Sequence, residues 1–135
     1  MGIDLKYGTP GEVIVSMDRY ITKAIDKYLE ERMKSIKMPA GNHLLKVNEA
    51  CRKLCDRYKI IFHRLVEKLL FLSKRARSDI QPKIAFLATI VRNPNKDNWK
   101  NLRRVLSYLD AKINSVKLHL NANYMNAVHW WVDTS

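Results

Sequence analysis

The chain has few of the residues that interrupt regular structure or cross-link it. Of its 135 residues only 4 are glycine, 4 are proline and 2 are cysteine, whereas 47% are hydrophobic. Collagen-like, low-complexity and disulfide-stapled architectures need far more glycine, proline or cysteine than this. Length and composition therefore predict one modest folded unit.

Acidic residues are scarce relative to basic ones. The chain has 25 Lys and Arg against 13 Asp and Glu, which gives a formal net charge of +12. A positive field of this size attracts polyanions, so nucleic acid is the first partner to consider and an anionic membrane surface the second. The plainer alternative is that these charges only keep the protein soluble.

Long apolar runs are absent as well. No segment has the length of a signal-peptide core, and none approaches the roughly 20 apolar residues of a membrane span. We therefore expect an intracellular protein, in the cytoplasm or nucleus, with reduced thiols. Cys51 and Cys55, with His43 and His63 at some distance, make zinc conceivable. Their spacing departs from that of zinc fingers, so we expect no metal site.

Hydrophobic periodicity predicts a β-hairpin followed by a helix. Residues 3–7 and 13–17 alternate between apolar and polar side chains around the turn Gly8-Thr9-Pro10-Gly11, a pattern typical of two paired strands. Ser16 or Asp18 is then placed to cap a helix whose apolar residues recur at helical spacing up to Leu29.

Three more helices are predicted before the chain returns to strand. The first, from about Tyr58, ends in the basic cluster 74–77, which suits a helix C-terminus. Ser78 or Asp79 is expected to cap the second, and Asp97 the third. The residues expected to face inward in these two helices are Ile84, Leu87 and Val91, then Leu102, Val105, Leu106 and Leu109.

Two short strands, 116–120 and 128–132, are predicted to close the chain around an Asn-rich turn. The expected fold class is therefore α+β, with an N-terminal β-hairpin, about four helices and a C-terminal β-hairpin. Trp130 and Trp131 point to opposite faces of the last strand. At most one of them is therefore in the core, and the other could pack under a neighbouring domain or stack on a base.

Four segments together carry a resemblance to a known family. FHRLVEKLLFLSKRARSDIQPKIAFLATIV, followed by NPNKDNWKNLRRVLSYLDA, resembles the region after the polymerase palm in reverse transcriptases of copia-type retrotransposons. The opening MGIDLKYGTPGEVIVSMDRYI resembles the hairpin and helix that end that palm, and VHWWVDTS resembles the first strand of the family's ribonuclease H domain. Ser78 is a departure, because the family usually reads Arg-Pro-Asp there.

The resemblance implies a fragment of a larger polymerase and ribonuclease H assembly, with four parts. They are an end-of-palm hairpin and helix (1–33), an extended connection (34–57), a thumb- or connection-like helical region (58–112) and a truncated β-hairpin that opens a ribonuclease H-like domain (113–135).

The resemblance also implies that both catalytic centres are missing. The family's polymerase depends on metal-binding palm aspartates, including a Tyr-Val-Asp-Asp turn, and no such turn occurs in this sequence. Asp133 matches the first ribonuclease H carboxylate, but its partners would lie beyond Ser135. Magnesium is implied for the intact family enzyme only. We therefore expect the isolated chain to have no cofactor and no enzyme activity, as a truncated reading frame of a mobile element.

Basic residues on consecutive helices are the candidate nucleic-acid contacts. We predict that they form one surface that follows the phosphate backbone of RNA–DNA or DNA duplexes without regard to sequence. The residues are Lys74, Arg75, Arg77, Arg92, Lys100, Arg103 and Arg104. The alternative is a solvated basic face that binds nothing.

Two functional classes remain open from the sequence. The first is a non-catalytic remnant of a retrotransposon Pol polyprotein, whose helical region would contact the primer-template backbone in the intact enzyme. Its further partners would be the missing polyprotein domains or other copies of itself. The second is a free-standing basic helical protein that binds nucleic acid. An active hydrolase or nuclease is a weaker third reading.

Overall fold

A computed structural model describes residues 2–28, 37–39 and 50–122 of the chain. A short 3₁₀ turn, Ser78–Ile80, precedes the third helix. The elements are β1 (Asp4–Tyr7), β2 (Glu12–Ser16), α1 (Asp18–Tyr28), α2 (Asp56–Arg75), α3 (Gln81–Thr89), α4 (Lys96–Ala111) and β3 (Leu118–Asn121). The α+β class, the N-terminal hairpin and the four helices are confirmed. The predicted strand 128–132, with both of its tryptophans and Asp133, lies outside the described residues.

The three strands form one antiparallel sheet in the order β1-β2-β3. The β1–β2 turn is closed by the backbone N–H of Gly8, which donates to the carbonyl of Glu12 at 3.1 Å. Gly11 has a φ of 91°, a conformation that glycine adopts without steric cost. In the register, Val15 lies opposite both Leu5 and Leu118. The C-terminal strand therefore pairs with the N-terminal hairpin.

One face of this sheet carries apolar side chains. Because residues opposite each other point to the same side, these side chains form one continuous surface. Val15 is buried against the helices. On the neighbouring strand β1, Leu5 is 50% exposed, and further along the same face Tyr7 is 77% and Leu120 50% exposed. The helices therefore cover only part of the apolar face.

Helices α2 and α4 run in the same direction. Near their N-terminal ends the rings of Tyr58 and Trp99 are 5.4 Å apart, and Arg77, just after α2, lies 5.5 Å from the ring of Tyr108 near the end of α4. Helix α3 returns between these two ends. No helix in the described ranges is both long enough and apolar enough to span a membrane.

A single apolar core joins the sheet to all four helices. Val15 and Met17 from the hairpin lie in the same buried cluster as Ile21 and Ile25 of α1 and the apolar stripe of α2. The predicted inward positions are confirmed for Ile84, Leu87, Leu102, Val105, Leu106 and Leu109, each 0% exposed. Val91, which follows α3, is only half-buried.

Helix α4 is capped by Asn95, so the prediction that Asp97 caps it was wrong. The side-chain oxygen of Asn95 accepts a hydrogen bond from the backbone N–H of Asn98, and the side-chain oxygen of Asn98 accepts one from the backbone N–H of Asn95, both at 2.9 Å. This reciprocal pair satisfies two donors that a helix N-terminus otherwise leaves open. Asp97 lies in the first turn.

Helix α3 begins without a side-chain cap, which corrects the prediction for Ser78 and Asp79. Both residues belong to the 3₁₀ turn that leads into the helix, and the N-cap position is Ile80. Pro82 lies in the first turn, where its missing N–H has no intrahelical partner to lose. The carboxylate of Asp79 binds Arg77 instead.

Candidate nucleic-acid interface

The structure divides the predicted basic residues between different ends of the helical region. Lys74 and Arg75 are exposed in the last turn of α2, and the Arg75 guanidinium lies 3.8 Å above the ring of Phe71. Lys100 lies near the start of α4 and Arg103 in its middle. Because α2 and α4 run in the same direction, these two residues are separated along the helix pair from Lys74 and Arg75.

Arg77 is inside the protein, so its placement on an exposed basic surface is corrected. Its side chain is 2% exposed, and its Nε and Nη2 donate to the two carboxylate oxygens of Asp79 at 2.9 and 2.8 Å. The hydroxyl of Tyr108 donates to the same carboxylate at 2.8 Å. Arg77 therefore fastens the α2–α3 connection to α4 and is not accessible to a phosphate.

The Arg77–Asp79–Tyr108 cluster keeps the carboxylate ionised. Burial acts to raise the pKa of Asp79, but the hydrogen bonds from Arg77 and Tyr108 and the charge of Arg77 outweigh it, so the pKa is lowered. Burial, with the hydrogen bond to Asp79, raises the pKa of Tyr108. Both pKa shifts favour a charged Asp79 carboxylate that accepts a hydrogen bond from the neutral Tyr108 hydroxyl.

Lys100 and Arg103 line an open cleft of about 650 Å³ between the start of α2 and the start of α4. No carboxylate is among its described lining residues, and five of those nine are cations. The others in the cleft are Arg52, Lys53, Leu54, Cys55, Tyr58, Lys96 and Trp99. The cleft therefore concentrates positive charge around a partly apolar floor.

Backbone hydrogen bonds hold the two walls of the cleft together. The N–H of Leu54 donates to the carbonyl of Pro94, and the N–H of Lys96 donates to the carbonyl of Arg52, both at 3.0 Å. These bonds flank an isolated antiparallel bridge between Lys53 and Asn95. The segment before α2 is thereby fixed against the turn that begins α4, which places Arg52 and Lys53 beside Lys96.

Two aromatic rings form part of the cleft. Trp99 is half-buried and packs on the fully buried Phe62, with ring centroids 6.5 Å apart. Tyr58 meets Trp99 edge to face at 78° and is 42% exposed. The indole is thus held by the core, and it in turn positions a tyrosine ring that solvent or a ligand can reach.

The remaining predicted cations lie outside this cleft. Arg104, on the neighbouring side of α4, donates from Nε to the carbonyl of Met38 at 3.4 Å. Arg92 is exposed in the connection between α3 and α4.

The two cysteines, Cys51 and Cys55, are free thiols. The described part of the chain contains no group of three or more His, Cys, Asp or Glu residues placed to hold a metal ion.

Sequence reasoning missed the cleft because its walls are far apart in the chain. Residues 34–57 were expected to be an extended surface connection, so Arg52 and Lys53 carried no signal. Tyr58 was expected as the approximate start of a helix. One local signal was available, since Lys96, Lys100 and Arg103 recur at helical spacing and therefore share one face of α4.

Comparison with known proteins finds similarity to a protein of a transposon. The chain is 21% identical over 105 residues to the retrovirus-related Pol polyprotein from transposon TNT 1-94 of Nicotiana tabacum. The chain is similar to a retrotransposon Pol polyprotein. The match covers 75% of this chain and 8% of that polyprotein, so the chain spans a small part of its relative. No family model matches the sequence, and no solved structure matches it significantly.

This similarity supports the broader part of the resemblance seen in the sequence, a relation to the Pol polyproteins of retrotransposons. The similarity does not distinguish one region of the polyprotein from another.

Proposed function

We propose that this chain is a segment of a retrotransposon Pol polyprotein whose helical region binds the nucleic-acid backbone without regard to sequence. The observation that carries the proposal is the cleft between α2 and α4, where five cations and no acid stand among the described lining residues. Such a surface contacts phosphates, which position a nucleic acid but carry no sequence information.

The proposed contacts are a revision of the predicted set. Lys100 and Arg103 remain, and Arg52, Lys53 and Lys96 join them because they line the same cleft. Lys74 and Arg75 form a separate contact at the far end of α2, and Arg77 is removed because it is buried. Arg92 and Arg104 are retained as flanking cations outside the cleft.

We propose a binding role, with the segment lying between the palm and the ribonuclease H domain of a reverse transcriptase. The resemblance in sequence supports this position, and it implies contact with the backbone of a primer-template duplex. The proposal assigns no catalytic step to the chain, since the palm aspartates of the family have no counterpart in the sequence. A free-standing nucleic-acid-binding protein would use the same cleft.

The test is a titration of a labelled RNA–DNA or DNA duplex with the protein at several salt concentrations. Because each neutralised phosphate contributes about −0.9 to the slope of log K against log salt, five engaged cations give a slope of about −4 to −5. The variant Lys100→Ala/Arg103→Ala should reduce the magnitude of the slope by about 2.

The matched control is Lys6→Ala/Lys23→Ala, which removes the same charge from exposed positions on β1 and α1. This control should leave the slope nearly unchanged. A slope near zero for the unmodified protein, or an equal effect of the two double variants, contradicts the proposed interface.

A further inference from the structure

The cleft continues along α2 as a series of depressions. A second depression shares Tyr58, Trp99 and Arg103 with the cleft and adds Lys27 and Tyr28 of α1. A third shares Lys27 and Tyr28 with the second and extends to Phe71. We call this continuous path from Trp99 to Phe71 the aromatic groove.

Aromatic rings and cations are interleaved along the aromatic groove. Going from the cleft towards Phe71, the rings are Trp99, Tyr58, Tyr28, Tyr20 and Phe71, and the cations beside them are Arg103, Lys27, Arg64 and Lys68. At the helical rise of 1.5 Å per residue, Tyr58 and Phe71 are separated by about 20 Å along α2. The groove is therefore long enough for several nucleotides.

One acid belongs to the described lining of the groove. Glu67 lies in the third depression, and its carboxylate is 3.3 Å from Nε2 of His63 on the same helix. Both side chains are more than half exposed. A single acid leaves the positive sign of the groove intact, because Lys27, Arg64 and Lys68 line the same depression.

A duplex cannot stack its bases on these rings, because the bases are already stacked inside the double helix. A single strand exposes the faces of its bases, and aromatic side chains flanked by cations bind such strands by stacking, with little sequence preference. Tyr58 is the best-placed ring: it is 42% exposed, and Trp99 holds it from one edge. The cleft beside it, about 650 Å³, has room for a base.

We propose that the aromatic groove binds single-stranded nucleic acid, with a base stacked on Tyr58 and the adjoining phosphates contacting Lys100 and Arg103. The inference rests on the proposed function, since both require that the cleft binds nucleic acid. It adds that the single-stranded form is preferred and that the bases contribute to affinity.

The experiment compares two labelled probes of about 12 nucleotides, within the usual range of site sizes. One is oligothymidylate, and the other is an oligomer of abasic sites with the same number of phosphates. The unmodified protein should bind oligothymidylate about tenfold more tightly, the size of effect expected from one stacked base. Binding is measured by fluorescence anisotropy at a fixed salt concentration.

Three variants separate stacking from charge. Tyr58→Ala should lose the tenfold preference for oligothymidylate, whereas Tyr58→Phe should retain it because the ring is kept. Tyr7→Ala removes a ring that is 77% exposed on the sheet, and it should bind both probes like the unmodified protein. Tyr7→Ala should also leave duplex binding unchanged, and circular dichroism checks that each variant is folded.

The outcomes distinguish the two proposals. If the protein binds neither duplex nor single strand, the proposed function fails and this inference fails with it. If duplex binding is intact but oligothymidylate and the abasic probe bind equally, the inference alone is overturned. The same holds if Tyr58→Phe weakens binding as much as Tyr58→Ala, because the ring would then not be the contact.

Discussion

Arg77 and Asp79, which are two positions apart in the chain, are joined by two hydrogen bonds at 2.9 and 2.8 Å. The guanidinium is buried and the carboxylate is partly exposed, by 2% and 27% of their side chains. Tyr108 of α4 completes the cluster through the same carboxylate. The pair thus stabilises the turn between α2 and α3 and attaches it to α4.

Asp79→Ala should lower the free energy of unfolding by about 3 kcal/mol, because it leaves the buried Arg77 guanidinium without its counter-ion. Urea unfolding followed by circular dichroism measures the loss. Asp26→Ala, which removes an exposed carboxylate of α1, is the control and should change stability by less than about 0.5 kcal/mol. A loss no larger than that of the control would show that Asp79 is not needed to balance Arg77.

Acid should weaken the fold through the same carboxylate. The folded-state pKa of Asp79 is below its ordinary value, so its contribution to stability is present above the unfolded pKa of about 3.9. That contribution is lost as the pH falls through the lower, folded-state pKa. Urea unfolding at several pH values between neutrality and strong acid should show this loss, and Asp79→Asn should flatten this part of the profile.

Removing the cap of α4 should destabilise the protein moderately. Asn95→Ala deletes the acceptor for the backbone N–H of Asn98, and losses of about 1 kcal/mol are typical for such a change. Asn93→Ala, at an exposed position in the preceding turn, is the matched control. Thermal unfolding of the two variants compares them, and similar melting temperatures would argue against a stabilising cap.

Chelators should leave the protein unchanged. Cys51 and Cys55 are free thiols, and no third ligand joins them among the described residues. We therefore expect the melting temperature to be the same with and without EDTA, and added zinc to have no stabilising effect. Since a ligand that binds the folded state raises its stability, a higher melting temperature in zinc would reveal a site.

The exposed part of the apolar sheet face should promote self-association. Leu5 and Leu120 lie on the same face as Val15, and each is 50% exposed. Sedimentation velocity over a range of concentrations should show association of the unmodified protein, driven by burial of this face. Leu5→Lys/Leu120→Lys should shift the distribution towards monomer, while Lys6→Ala/Lys23→Ala should not.

The local sequence pattern predicts most of the helices and strands but little of the candidate nucleic-acid interface. The helical spacing of apolar residues located all four helices, because burial of one stripe is a local property of sequence. The local sequence does not determine whether Asn95 or Asp97 caps α4. Both residue types cap helices well, and the bridge between Lys53 and Asn95 fixes the chain so that the helix begins at Lys96.

The candidate site could not be predicted because charge and aromatic character do not reveal exposure. Arg77 follows two exposed cations, but the chain turns after α2 and brings its guanidinium against the ring of Tyr108 in α4. Tyr58 matched an apolar stripe, and it lies at the rim of a cleft instead. In both residues a tertiary contact, absent from any local pattern, decides whether the side chain faces the core, a partner or solvent.

The pairing of β2 with β3 has a consequence for the order of synthesis. Ile14 lies opposite His119, so β2 has its second partner only after nearly all of the described chain has left the ribosome. Until then the nascent hairpin has an open edge on β2, and such edges pair readily with other strands. We therefore expect that a chaperone, or rapid packing of the helices around Val15, is needed to prevent the β2 edge of the emerging chain from pairing with strands of other proteins.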